Sequence, residues 1–181
     1  MWEKFGDKRI IDTPISETGF AALGIGAAYG GLRPIIEFMT FNFATQAFSQ
    51  IVNNATKSPY MSGGDFYCPV VFRGSNGPSI AVAAQHSHCY ASIYGTLPGL
   101  KVLSVWDCDD ARGLLKSAVR DNNPVLVLES ERMYGVEFKV TDKVMDKDYL
   151  VPIGKARFHT KGDHVTLVSY AAAMTPTIEA A

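Results

Sequence analysis

The strongest constraint on this chain is an alternation. Short runs of β-forming residues, at 9–15 (RIIDTPI), 34–41 (PIIEFMTF), 68–74 (CPVVFRG), 101–106 (KVLSVW) and 124–129 (PVLVLE), are separated by longer stretches of helical character. Alternation of this kind is the sequence sign of a parallel sheet covered by helices, because parallel strands need a crossover long enough to hold a helix. Several runs are apolar almost throughout, as strands buried on both faces should be. The expected architecture is therefore α/β, with four βα units in order.

Punctuation supports the helices. Ser16 precedes Glu17 and an Ala/Gly-rich stretch as an N-cap should, and Gly30-Gly31 followed by Pro34 is a natural stop. Asp107, Asp109 and Asp110 crowd the start of a later helix, with Lys116 and Arg120 near its end, the arrangement that the helix dipole favours. After Glu129 the pattern changes. Residues 131–158 are charged, aperiodic and contain Pro152 and Gly154, which predicts a linker running over the surface. A strand is expected at 164–170 (HVTLVSY), followed by the beginning of a helix. The expected organisation is a first domain over 1–135, a linker over 136–160 and the start of a second α/β domain over 161–181. Both ends read as abrupt, so a fragment of a longer protein is expected.

Charge and composition narrow the function classes. The net charge is −1, and the 17 basic residues are scattered, so neither nucleic acid nor an anionic membrane is an expected partner. No apolar run reaches the roughly 18 residues of a membrane span, and the amino terminus lacks the apolar stretch of a secretory signal. Three widely spaced cysteines without a C-x-x-C pair point to a reducing compartment.

Three constellations carry possible chemistry. HSHC at 86–89 has the look of a metal site, but histidines two apart on a helix point to different sides, and only an extended H-x-H aims both rings together. A zinc site is not expected there, and Cys89 reads as a small buried hydrophobe. The G-x-G at 24–26 falls inside a helix instead of opening one after a strand, which argues against a dinucleotide loop. Gly19, Gly24 and Gly26 instead predict that another backbone or a subunit packs closely on that helix face. Glu17 lies at a first helical turn on the carboxyl edge of the expected sheet, where ligands of open α/β sheets gather. It reads either as a dipole-stabilised carboxylate or as a functional acid.

The stretches IDTPISETGFAALGIGAAYGGLRPIIEFMTFNFATQAFSQIVNNATK, MSGG, FRGSNG, AAQHSH, PGLKV, AVRDNNPVLVLE and MYGV together resemble the β subunit of the thiamine-diphosphate-dependent decarboxylating component of the pyruvate dehydrogenase complex. The resemblance implies a pyrimidine-type thiamine-diphosphate-binding domain lacking its first strand and helix. It also implies a mitochondrial matrix protein, with the bacterial cytoplasm or a plastid as alternatives, of two α and two β subunits, with Mg2+ and the diphosphate held by the α subunit. Pyruvate would be the substrate and the dihydrolipoyl acetyltransferase core the acetyl acceptor. By position, Glu17 matches the catalytic glutamate that bonds a ring nitrogen of the aminopyrimidine. Phe43 matches the aromatic that stacks on that ring, and His86 the pocket histidine that handles substrate or the lipoyl group. A structural K+ site implied by the family falls on Val70, Ala118, Val119, Asp121 and Asn123. His88 stands where the family commonly has glutamine and is not carried over, and the DFYC stretch at 65–68 departs from the more usual apolar one. The alternatives are the branched-chain 2-oxoacid member of the family and a truncated, non-catalytic subunit that binds partners.

Overall fold

The computed structural model describes residues 1–181. The elements are α1 (Trp2–Phe5), α2 (Glu17–Tyr29), β1 (Ile35–Thr40), α3 (Phe41–Ala44), α4 (Ser58–Met61), β2 (Val71–Ser75), α5 (Ala91–Gly95), β3 (Lys101–Ser104), α6 (Cys108–Arg120), β4 (Val125–Glu129), α7 (Asp142–Met145) and α8 (Met174–Ala180). The four strands form one parallel sheet in the order β1-β2-β4-β3. In register, Ile35 faces Val71, and Val71 and Lys101 each face Val125.

Four of the expected strand runs pair and two do not. Residues 9–15 connect α1 to α2 without entering the sheet, and Ile11 and Ile15 are exposed. Residues 164–170 are likewise not a strand, and Val165 and Val168 are exposed. A strand exists only as a pair, and no other strand lies within 161–181 to partner this run; the sole regular helix there is α8. The long helix expected after β1 is helical but changes pitch. It runs from α3 through a 3-10 turn (Thr45–Ala47) and a π-helical stretch (Gln50–Ala55) to α4. The helical stretch expected between the 68–74 and 101–106 runs shrinks to a 3-10 turn at Ala84–His86 and the short α5.

Strand alternation divides the core in two. Ile36, Phe38, Phe72, Leu126 and Leu128 point to one face, where Ala21, Ile25 and Ala28 of α2 close over them. Val71, Leu103, Val125 and Val127 point to the other face and pack on Leu114, Leu115 and Ala118 of α6. β4 is buried on both faces, as its unbroken apolar run requires. β1 is an edge strand, buried on one face only. Burying a side chain such as Phe38 or Leu126 stabilises by about 1.5–3 kcal/mol, so each cluster outweighs any single surface contact.

Of the three glycines expected to mark close packing on α2, one does so within the chain. A Cβ on Gly24 would lie 2.4 Å from Cδ1 of Ile36, so α2 sits directly on β1. On Gly26 a Cβ would meet nothing within 4 Å, and on Gly19 only Ser16 of the same turn. The 131–158 segment does run over the surface, but it is docked. Ser117 Oγ donates to the Val151 carbonyl at 2.6 Å and Arg112 Nε to the Val144 carbonyl at 2.7 Å. Arg157 pairs with Asp107 at the start of α6. No helix is long and apolar enough to cross a membrane.

Candidate active site

Because all four strands are parallel, their carboxyl ends share one edge, and the residues just beyond them build the site. Thr40, the last residue of β1, caps α3 by accepting the Asn42 backbone N–H at 3.3 Å. That cap turns the chain sharply and leaves Phe43 half-buried. Its ring meets the His86 ring edge-on, centroids 5.3 Å apart. On the neighbouring side, Thr18 Oγ1 donates to the Gln46 carbonyl at 2.6 Å, fastening the first turn of α2 to the turn that follows Phe43. Glu17 begins that helix. Ser16 is its N-cap residue, yet its hydroxyl bonds the Pro14 carbonyl instead of capping.

Glu17 is 7% exposed, and its Oε2 has no hydrogen-bond partner in the protein. Nδ1 of His86 is equally buried and partnerless. A buried polar group left unpaired costs about 1–3 kcal/mol. Tyr94 Oη and Ser104 Oγ are also partnerless; the Glu17 and His86 atoms are set apart by their place beside Phe43 and the turn that follows it, where a ligand atom would restore what folding removed. A cavity of about 330 Å3 opens beside Phe43, lined also by Asn42, Thr45, Gln46, Gln85 and His88. His88, set aside on sequence grounds, therefore lines the cavity. A second cavity, about 220 Å3, lies at the ends of β3 and β4 among Trp106, Met133, Tyr134 and Phe138. It is largely apolar, and neither cavity is lined by Glu17 or His86.

The HSHC stretch corrects two expectations. It is a loop and not a helix start, and Cys89 is exposed instead of packed in the core, because α5 begins only at Ala91. The Cys89 thiol is held below its ordinary range. Partial burial pushes it up, but bonds from the Ala91 backbone, the Asn76 amide and the Tyr170 hydroxyl outweigh that. The buried Cys68 thiol is instead pushed up to about 12 by burial. No group of three or more His, Cys, Asp or Glu side chains is placed to hold a metal ion.

Two residues the sequence reading passed over are built into the site. Asn42 and Asn76 are 6% and 8% exposed, and each follows a strand within two residues. Asn42 Nδ2 donates to Thr40 Oγ1 at 2.8 Å, and its Oδ1 accepts the His88 N–H at 3.2 Å. Asn76 Oδ1 accepts the Tyr90 N–H at 2.8 Å, and Gly77 N–H donates to the His88 carbonyl at 2.9 Å. The available signal was a lone asparagine directly after an apolar strand run, a polar side chain where burial is expected. Ahead of the loop, Ala81 and Ala83 have φ of 54° and 63°, positive values that cost about 1–3 kcal/mol for a non-glycine residue.

The residues matched to potassium lie around the end of α6. The Val119 and Asp121 carbonyls both accept from Arg33 Nη1, at 3.0 and 2.8 Å. The Ala118 carbonyl accepts the Asp121 N–H, and the Val70 carbonyl the Val125 N–H. The Asp121 carboxylate accepts from Lys101 Nζ at 2.5 Å and from the Asn123 backbone and side chain. Burial pushes the Asp121 carboxyl up, but those bonds outweigh it and hold it below its ordinary range.

With a parallel sheet, an acid at a first helical turn and an aromatic–histidine pair on the same edge, the class is that of α/β proteins that bind a ligand across the carboxyl ends of their strands. The chain belongs to the family described as the transketolase pyrimidine binding domain, whose model matches residues 1–137. Over all 181 residues it is 59% identical to the mitochondrial pyruvate dehydrogenase E1 component subunit beta of Bos taurus and of Homo sapiens, and 55% identical to that of Dictyostelium discoideum. It spans about half the length of these relatives, 50%, 50% and 51% respectively. Among solved structures, a split-gene transketolase described as an inactive β4 tetramer superposes with a TM-score of 0.58 at 20% identity. That match covers 70% of this chain and 39% of the other, and it shows the fold.

Proposed function

We propose that this chain provides the pyrimidine-holding side of a thiamine-diphosphate-dependent pyruvate dehydrogenase and works with an α subunit in the mitochondrial matrix. The observation that carries this reading is Glu17 Oε2, a buried carboxyl oxygen without a partner on the strand edge that also presents Phe43 and His86. The identity to pyruvate dehydrogenase β subunits over the full 181 residues supports it.

The residues fit the cofactor. Glu17 would hold a ring nitrogen of the aminopyrimidine, because a buried carboxyl group can share a proton with a weakly basic ring nitrogen. Phe43 would lie against the ring face, and the free Nδ1 of His86 would meet the substrate or the lipoyl group. Thiamine diphosphate, when bound, supplies the thiazolium carbon at which a 2-oxoacid is decarboxylated. The protein's part is to keep water from the ring, fix its orientation and hold the proton at the Glu17 carboxyl. Mg2+ and the diphosphate fall to the α subunit. A second β subunit completes the heterotetramer, and the dihydrolipoyl acetyltransferase core receives the acetyl group. Neither chain would turn over alone.

Potassium at Val70, Ala118, Val119, Asp121 and Asn123 belongs to the same reading. Each carbonyl oxygen has two lone pairs, so the cation would share Val119 and Asp121 with Arg33. Adding K+ to protein exchanged into choline chloride should raise the melting temperature, and an unchanged value would remove the site. For the activity, the complex reconstituted with a pyruvate dehydrogenase α subunit should decarboxylate pyruvate in preference to 2-oxoisovalerate. The reverse preference would assign the chain to branched-chain substrates.

A further inference from the structure

We infer that Asn42 and Asn76 are positioning residues: a pair of buried amides that clamps the 86–90 loop from two strand ends and so sets His86 opposite Phe43. The inference rests on the reading of Glu17, Phe43 and His86 as the cofactor and substrate site. It adds two residues that act through the loop, Asn42 from the wall of the cavity beside Phe43 and Asn76 from outside it.

The geometry is specific to the loop. Asn42 stands beyond β1 and Asn76 beyond β2, neighbouring parallel strands, and both side chains turn toward the same five residues. Asn42 accepts the N–H of His88 and Asn76 the N–H of Tyr90, while the Gly77 N–H takes the His88 carbonyl between them. Three consecutive peptide groups of the loop are thereby engaged. Asn42 is itself oriented by Thr40 Oγ1, and Asn76 is anchored through its own N–H to the Glu129 carbonyl at the end of β4, 2.7 Å away. The register of three strands is thus transmitted to the loop through side-chain amides.

The loop needs such a hold. It has no ladder partner, its 3-10 turn spans only Ala84–His86, and it is entered through two alanines with positive φ. His86 contributes no side-chain hydrogen bond of its own, since Nδ1 is partnerless and the ring contact to Phe43 is edge-on. A ring placed within a few tenths of an ångström of a reacting group must be fixed by neighbours, and the two asparagines are the buried polar side chains bonded to the backbone that follows it.

The test uses the chain assembled with its α partner, comparing Asn42→Ala, Asn76→Ala and the double variant with the unsubstituted protein and with His86→Ala. Three readouts are taken: kcat for pyruvate, apparent affinity for thiamine diphosphate, and hydrogen exchange at the His88 and Tyr90 amides. Each single variant should lower kcat by at least about tenfold, as a 1 Å misplacement costs up to about a hundredfold. Exchange at its own amide should accelerate by at least tenfold, while cofactor affinity, set by Glu17 and Phe43, stays within threefold. A kcat within twofold of the unsubstituted value, or cofactor affinity lost in parallel with kcat, overturns the clamp. If the double variant does not fold, the single variants decide. If the unsubstituted complex fails to turn over pyruvate, or His86→Ala retains full activity, the site reading fails instead. Amide exchange alone then judges the clamp, with unaccelerated exchange overturning it and faster exchange upholding its structural half.

Discussion

The loops beyond β1 and β2 and the stretch from 131 to 181 are both irregular chain laid against the same sheet, yet they are held by different physics. In the first, buried asparagines bond the backbone of 86–90, and atoms of Glu17 and His86 are left partnerless. In the second, exposed cations and a serine reach carbonyls or carboxylates, and large apolar side chains such as Phe158 and Val168 remain 86% and 90% exposed. Buried amides bonded to backbone fix a loop's geometry, whereas the second region is fastened to α6 by exposed Arg112 and Arg157 and by apolar contacts, with Val144 buried and Tyr149 and Val151 seated over Gly113. The first region holds the partnerless atoms of Glu17 and His86 and the positive-φ residues Ala81 and Ala83, whereas the second has one such alanine, Ala171, and no buried unpaired side-chain atom. Broken local rules of this kind mark candidate functional regions.

That contrast can be broken in the core, at its margin and on its surface. The largest stability effect is expected beneath the site. Gly24→Leu must displace Ile36, whose Cγ1 would lie 2.8 Å from the new Cβ, and should destabilise by about 1–3 kcal/mol, as overpacked cores do. Gly26→Ala, with nothing within 4 Å, should instead stabilise the isolated chain by up to about 1 kcal/mol through helix propensity. Urea titration compares the two, and equal effects would mean that α2 is not seated on β1 through Gly24.

On the surface the effects shrink. Arg157, 37% exposed in its side chain, pairs with Asp107 and approaches Asp109 and Asp110. Arg157→Ala should cost less than about 1 kcal/mol, and less still in high salt. A loss of several kcal/mol would put the second region in the same category as the first. The smallest effect is expected at Asp121, whose carboxyl is held below its ordinary range with Lys101 as partner. A folded value below the unfolded one stabilises above the ordinary aspartate value, about 3.9, and that contribution is lost as pH falls through the folded value. The stability gap between the unsubstituted chain and Asp121→Asn should therefore be small at pH 7, begin to shrink below about pH 4, and vanish only once the pH lies below the folded value. A gap that widens on acidification would reverse the sign of the interaction.

Much of the sheet was legible in the sequence because β4 and its neighbours pair within the chain, and unbroken apolar runs such as PVLVLE leave little choice. Residues 9–15 and 164–170 carry the same β-forming composition, but propensity cannot supply a partner strand. The helix expected from Asp107 to Arg120 was readable from its charges, and Asp107 does cap it by accepting the Asp110 N–H at 2.9 Å. At the site, Glu17, Phe43 and His86 were marked by resemblance, and the structure places the last two in contact. What the sequence did not reveal is the support: Asn42 and Asn76 are 34 residues apart and meet one loop only after the sheet brings β1 and β2 side by side. Cys89 is exposed instead of buried for a related reason, since α5 starts two residues later.

The proposed function rests on the buried Glu17 carboxyl acting on the aminopyrimidine of thiamine diphosphate. Its most direct test is the rate of hydrogen–deuterium exchange at the cofactor's thiazolium C2, measured by acid quench and NMR in the complex with the α subunit. Glu17→Gln, which keeps the shape and removes the proton-sharing acid, should slow that exchange by at least about 100-fold, the lower end of general acid–base effects, with the fold intact. An exchange rate unchanged by the substitution, with cofactor still bound, would remove Glu17 from that role.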